Sequence, residues 1–437
     1  GLIEWGLTTE DGVRGMLALD TELLVVSGRQ LDRFSAAGGV ATLVGGISAD
    51  GMVTMASNRA SPRDVAIVVD GVYFLYEEGG SVAVGADPDL PSPVAVTEIA
   101  GYFVFAIDDG RFFISAIDDT TIDALDFASA ETNSDRNVMV STRGRELVIF
   151  GDRSTEFWTE SGAADFPFAR VQVIDVGCYA PSSVANVLVL KPGVPATDTL
   201  IWAASDHKGA YAAVVILDGY AAVPISTPEI DRLIRDEPNP ADIRAYSWTE
   251  DGHAFYAISG TSFTKVFDTK FVGDAQRGWH DRKTFGSDRW RPAEHATFAG
   301  MNIFGDLETN QLYRSVPELY SEAGDRIRCE AILPNVHMFP RRFKVLALYV
   351  DALTGVGLNT SDDDADPVLM IAVSRDAGAS WGERNASLGA MAQRHVHIKE
   401  RGWGNFDHNG MTLRLACTAK VARAIQGVSI EAEPLAP

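Results

Sequence analysis

Ser374, Asp376, Gly378 and Trp381 stand in the run Ser374-Arg375-Asp376-Ala377-Gly378-Ala379-Ser380-Trp381, which fits the pattern Ser-x-Asp-x-Gly-x-[Ser/Thr]-Trp known as an Asp box. The residue types have a physical logic. Asp376 can accept backbone N–H bonds across a hairpin turn, Gly378 can supply a positive φ, and Trp381 can pack beneath the turn. A single copy reads first as a structural turn.

The alternatives are directed at glycans, as a sialidase-like glycosidase or a carbohydrate- or receptor-binding module, since Asp boxes decorate sialidase propellers away from the catalytic centre. Such an enzyme needs an arginine cluster for the substrate carboxylate, a Tyr-Glu pair and an acidic proton donor. Arg153, Glu156, Tyr246 and Glu250 supply those types, but their spacing does not bring them together. Two other groups raise the question of a metal. Asp362, Asp364 and Asp366 offer carboxylates to calcium, without the spacing glycine and terminal glutamate of an EF-hand loop, and a solvated turn is the other reading. His395 and His397 fall on one side of an expected strand, with no Cys or acidic partner at a ligand spacing, and surface strand residues are the alternative. His253 and His280 read as hairpin and strand-end positions. The sequence has no Gly-x-Ser-x-Gly elbow, no phosphate-binding Gly-Lys-Ser/Thr loop and no dinucleotide fingerprint. The expectation is a chain without catalytic residues, metal or cofactor.

The elements that would carry these residues are short strands. Residues 23–26 run into Ser27-Gly28, 65–69 into Asp70-Gly71, 102–107 into Asp108-Asp109-Gly110, and 147–150 into Gly151-Asp152. The run Phe150-Gly151-Asp152-Arg153-Ser154-Thr155-Glu156-Phe157-Trp158 reads as strand, Gly-Asp turn and outgoing strand, and Phe304-Gly305-Asp306-Leu307-Glu308-Thr309 echoes it. Turn glycines recur at intervals of about 40 residues, the length of a propeller blade. The expected fold is all-β: an irregular β-propeller-like domain of about six or seven blades over 1–325, its repeats running from Leu17 to Arg314. A small C-terminal β-sandwich-like domain would follow over 326–437, with strands at 345–350, 368–373, 411–417 and 427–432. A stack of β-meanders is the alternative to the propeller. One short helix is expected after the Thr227 N-cap, with Pro228 in its first turn. The tail from Glu433 carries no structural signal.

Composition bounds the function. The chain has 437 residues, 46% hydrophobic and 22% charged, as in a soluble globular protein of two or three modules. A net charge of -23 excludes a protein that grips nucleic acid through phosphate contacts, because such binding needs clustered Lys and Arg. No apolar run approaches the roughly 18 residues of a membrane helix, and no secretory signal is visible. The first residue is Gly1, which leads to the expectation that an N-terminal piece precedes it. Cys178, Cys329 and Cys417 are too few and too far apart for a disulfide framework or zinc site, and read as buried small hydrophobes in a protein made in a reducing cytoplasm.

Several stretches, in order, carry a family likeness: 123–131, 150–158, Phe166-Pro167-Phe168, 177–183, Gly219-Tyr220 with Ile225-Ser226-Thr227, 251–256, 279–282, and 374–381 with Ser387-Leu388-Gly389. From about Asp123 onward the chain resembles the packaged-DNA stabilisation proteins, the tail hub or nozzle family, of short-tailed bacteriophages. The motif-bearing positions are Phe150, Gly151, Arg153, Ser154, Thr155, Glu156, Trp158, Gly177, Cys178 and Pro181. The likeness covers roughly three quarters of the chain and is weaker over the first 100 residues. Pro228 departs from the pattern, which has a histidine there. The resemblance implies a structural role with no catalytic residue. It implies a homo-oligomeric ring, six copies in the family, below the portal-adaptor protein in the virion tail, made in the host cytoplasm. That ring would extend the channel for double-stranded DNA, retain the packaged genome, and hold the tail needle or plug and the tailspikes or fibres. Its acidity would let the duplex slide without sequence-specific binding if Asp and Glu face the lumen.

Overall fold

The computed structural model describes residues 1–130, 135–163, 166–191, 193, 195–393 and 396–435. The chain forms two compact units, Glu4–Ser315 and Val316–Pro437, the second including Gly1–Ile3. The division lies at 315/316, ten residues before the expected one.

The first unit is a β-propeller of seven blades. The innermost strands are Val13–Ala18, Val53–Ser57, Pro93–Ile99, Asn137–Arg143, Ala185–Val189, Arg244–Glu250 and Pro292–Phe298, and each contacts the next around a closed ring. From each of these the chain meanders outward through antiparallel neighbours. Two-residue hairpins with both φ positive, such as Asp70-Gly71, match the right-handed twist of the strands they join. The second strands, among them Leu23–Ser27 and Asp64–Val69, are buried on both faces. They therefore read in the sequence as unbroken apolar runs rather than as alternation.

The core of this unit is distributed between blades. Leu24, Val26, Ile67 and Phe74 fill the seam of blades 1 and 2, while Val148, Phe150, Phe157, Trp202 and Val215 fill that of blades 4 and 5. Successive residues of one strand serve opposite seams, as period-2 geometry requires: Phe157 faces blade 5, and Trp158 packs with Phe112 toward blade 3. The ring closes through an N-terminal strand. The fourth strand of blade 7 is Leu2–Leu7, and Thr8 N–H donates to Asn310 O at 2.9 Å while Gln311 Nε2 donates to Gly6 O. The helix between blades 5 and 6 is Pro228–Asp236, with Thr227 Oγ1 accepting the Ile230 N–H and Ile230 and Ile234 buried.

The second unit has a four-stranded and a three-stranded antiparallel sheet. Phe343, Val345, Leu348, Ile398 and Phe406 from one and Leu369, Ile371, Val373, Leu413 and Leu415 from the other share one core. Its last strand, Ile425–Pro434, runs further than the sequence suggests. Glu433 and Pro434 continue the ladder against Lys344 and Phe343, a long-range pairing that local composition does not encode.

Candidate functional site

The family-motif residues gather where blade 4 meets blade 5. Gly151 ends the strand Glu146–Gly151, and the turn proper is Asp152-Arg153-Ser154. The expected Gly-Asp turn is thus displaced: Gly151 has no positive φ, and it is glycine because an added Cβ would run into the Asp135 carboxylate. That carboxylate organises the turn, accepting Ser154 N–H at 2.8 Å, Ser154 Oγ–H at 2.9 Å and Arg153 N–H at 3.1 Å. Thr155 Oγ1 donates to Val176 O, and Ser205 Oγ to Asp152 O. Gly177 then passes so close that a Cβ there would strike the backbone of Asp152 and Arg153. Trp202 Nε1 donates to Gly177 O at 3.0 Å, and Cys178 is buried beside Phe150 and Trp202, where burial pushes its thiol pKa up. Pro181 starts a single 3₁₀ turn whose Ser183 hydroxyl links Ala180 O to Ala203 N–H. Glu156 is buried and accepts from Trp158 Nε1 at 3.2 Å and Arg170 Nη1 at 3.3 Å. Phe150, Gly177 and Cys178 hold blades 4 and 5 together, while Glu156, Trp158 and Arg170 bond within blade 4 and Arg153 lies exposed in its turn.

The other sequence candidates are dispersed. Arg153 lies in the exposed turn of blade 4, whereas Tyr246 and Glu250 lie on the inner strand of blade 6. Tyr246 is buried against Trp248 and Phe304, and Glu250 accepts from Ser315 Oγ. With Glu156 already bonded to Arg170, the arginine, tyrosine and glutamates do not form one site.

In the second unit, Asp376 Oδ1 accepts Ser380 N–H at 2.8 Å and Ser374 Oγ–H at 2.7 Å, and Ser374 Oγ accepts Gly378 N–H at 2.8 Å. The hydrogen bonds from Ser380, then Ser374, hold the Asp376 carboxyl down at about 2. Gly378 has φ +98°, and the Arg414 guanidinium sits over the Trp381 ring. Ser374, Asp376 and Ser380 of this Asp box are turned on their own hairpin, while Arg375 donates to Trp403 O and Asn405 O of a neighbouring strand.

The three carboxylates of the acidic loop point to separate partners. Asp362 accepts Thr360 Oγ1 and Asp364 N–H, the buried Asp364 accepts Arg326 Nη1 and Lys420 N–H, and Asp366 accepts Ser387 Oγ. No group of three or more His, Cys, Asp or Glu side chains placed to hold a metal occurs among the described residues. His395 lies outside the described residues, and His397 precedes the strand Ile398–Phe406 rather than lying on it. His253 pairs with Asp268 and stacks on Phe255, and His280 lies on the short outer strand Trp279–Asp281. Cys329, expected to be buried, is exposed because its strand Cys329–Ile332 is a sheet edge.

One constellation escaped the sequence reading. On the propeller axis, Arg14 of blade 1, Thr54 of blade 2, Met139 of blade 4, Ser182 before blade 5, Arg244 of blade 6 and Glu294 of blade 7 line a cavity of about 110 Å³. Arg244 and Glu294 are 3.7 Å apart. Aligning the inner strands blade by blade would have found them, as charged residues in the strand nearest the axis.

A family model described as Bacteriophage P22 Gp10, beta-propeller, matches residues 6–317. The chain belongs to this family. It is a phage structural protein of the packaged-DNA stabilisation type. The matched span of the Gp10 β-propeller family covers the seven-bladed unit, including the first 100 residues where the motifs looked weaker, and ends before the Asp box. Among solved structures, the chain is similar to the computationally designed Ika8 protein, with TM-score 0.40 and 11% identity over 71% of this chain and 100% of that one. It is also similar to BamB from Moraxella catarrhalis, with TM-score 0.39 and 10% identity over 72% and 98%. No curated protein matches the chain in sequence. No helix among the described residues is long and apolar enough to cross a membrane.

Proposed function

We propose that this Gp10-family chain is a tail hub, assembling as a six-membered ring in the virion tail below the portal-adaptor protein. The ring extends the DNA channel, retains the packaged genome, and anchors the tail needle or plug and the tailspikes or fibres. It works without catalysis. The observation that carries this reading is the family match along the whole propeller, 6–317, on a scaffold whose motif residues are consumed by packing.

The geometry bears on how DNA would pass. A cavity of about 110 Å³ on the propeller axis corresponds to the share of roughly three or four water molecules, so no duplex runs through a single subunit. The conduit of a hub is the space enclosed by several copies. A net charge of -23 per chain suits such a conduit, since a wall that repels phosphates gives no counterion-release binding and lets DNA move.

Electron microscopy of intact virions carrying this chain tests the proposal. A ring of this protein between the portal adaptor and the tail tip, with six copies and Asp and Glu on its lumen, is the expected result. Its presence only on peripheral fibres, or its absence from virions, overturns the hub reading.

A further inference from the structure

The axial cavity is built unlike the rest of the propeller interior. It brings two guanidinium groups from opposite ends of the repeat, Arg14 and Arg244, close enough to repel each other. Arg14 is fixed in place: Nε and Nη2 donate to Gly28 O, Nη2 also to Ala49 O at 3.0 Å, and Nη1 to Gly51 O at 3.0 Å. It offers the cavity its charge and one remaining N–H. Arg244 is different. Its side chain is only 18% exposed, yet among the described residues its ionic partner is Glu294 alone, at 3.7 Å, and it makes no hydrogen bond. Its guanidinium brings up to five donors in a rigid fork to the cavity wall.

The counter-charges lie mostly on the Arg14 side: Asp50 and Glu10 both act on Arg14, and Asp50 also pairs with the exposed Arg29. Glu294 is the natural partner of Arg244, but burial pushes its carboxyl up to about 8 against the opposing pull of Arg244, which weakens it as a counter-charge. A half-buried guanidinium with donors unused is a ready seat for an acceptor. The remaining walls suit such an acceptor. Ser182 presents a hydroxyl, and Thr54 Oγ1, which accepts Val96 N–H at 3.0 Å, keeps its own O–H to donate. A protonated Glu294 is a further donor.

We propose that the propeller axis binds one small tetrahedral oxyanion, of the inorganic phosphate or sulfate kind, held between Arg14 and Arg244. Arg244 engages it through the fork of its guanidinium, in the bidentate manner that such groups use for phosphate. Arg14 supplies charge and a single N–H, and Ser182 and Thr54 complete the donor set. The volume admits an ion of that size. Its consequence is mechanical: the anion joins blade 1 to blade 6 across the axis, beside the blade 7 strand that carries Glu294, and so braces the part of the ring closed by a non-covalent strand.

The test uses the full chain at pH 7, with phosphate, sulfate and chloride compared at equal ionic strength. Equilibrium dialysis against labelled phosphate should show one ion bound per chain. The thermal unfolding midpoint should rise by about 3 to 4 °C when phosphate reaches a hundredfold excess over its Kd. Sulfate should do the same and chloride should not. Salting-out effects stabilise any protein, so the decisive comparison is with Arg244→Gln, where binding is lost and the phosphate-specific rise disappears, and with Arg244→Lys, which keeps the charge and recovers part of it. Failure of the wild-type chain to bind phosphate or sulfate overturns the proposal. So does an equal Tm rise in Arg244→Gln, and the wild-type dialysis decides the matter even if that variant does not fold.

Discussion

In blade 4, Phe150-Gly151-Asp152 leads into a turn held from outside, by the carboxylate of Asp135 in the segment that enters the blade. In blade 7, Phe304-Gly305-Asp306 leads into a turn held from within, where Asp306 Oδ1 accepts Glu308 N–H at 2.9 Å and Thr309 N–H at 3.3 Å. Neither glycine adopts a positive φ. Each is small because something lies against it: Asp135 beside Gly151, and the isopropyl group of Val13, on the inner strand of blade 1, beside Gly305. The same tripeptide therefore answers to two different neighbours. What the repeat preserves is a close approach at the end of the second strand, while the device that shapes the turn differs from blade to blade.

Three substitutions sharpen this comparison by placing a methyl group against neighbours that yield to different degrees. Gly177→Ala should have the largest effect, because its Cβ meets the backbone of Asp152 and Arg153, which cannot rotate away. A loss of about 3 kcal/mol or more is expected in denaturant unfolding, as for severe overpacking. Gly305→Ala should cost about 2 kcal/mol, since Val13 is fully buried and stiff at χ1. Adding Val13→Ala should give a favourable coupling of about 1 kcal/mol in a double-mutant cycle. The same Val13→Ala change should show no coupling with Gly151→Ala, and equal coupling in both cycles would break the distinction between the blades. Gly151→Ala should be the mildest, about 1 kcal/mol, because the Asp135 carboxylate can swing aside and give up its bonds to Arg153 and Ser154. Asp135→Ala should absorb most of that cost in the same measurement.

The hairpins were legible because turn chemistry is local. Asp70-Gly71 and Asp251-Gly252 stand between strands with both residues at positive φ, where Asp-Gly is favoured, and Thr227-Pro228 opens a helix as its residue types require. The spacing of such turns was enough to suggest blades. The Asp-box residues were legible in the same way, since Ser374, Asp376 and Gly378 bond within a few positions of one another. Cys329 was misread because its residue type was weighed above the flanking Arg328 and Glu330, and nothing local states that its strand is an edge. The role of Gly151 was misread because its reason for being glycine, Asp135, lies across the blade.

By itself the sequence determined the strands, their turns and a repeat near 40 residues, because period-2 burial and turn stereochemistry are written into residues a few places apart. It also carried the family likeness through ordered motifs. Only the tertiary structure decided that there are seven blades, that Leu2–Leu7 completes the last of them, and that Arg14, Arg244 and Glu294 meet on one axis. Those outcomes join residues about 300 positions apart, such as Thr8 and Asn310. They follow from how far each blade rotates against its neighbour, a quantity set by the packing of the seams between blades and not by any single stretch of chain.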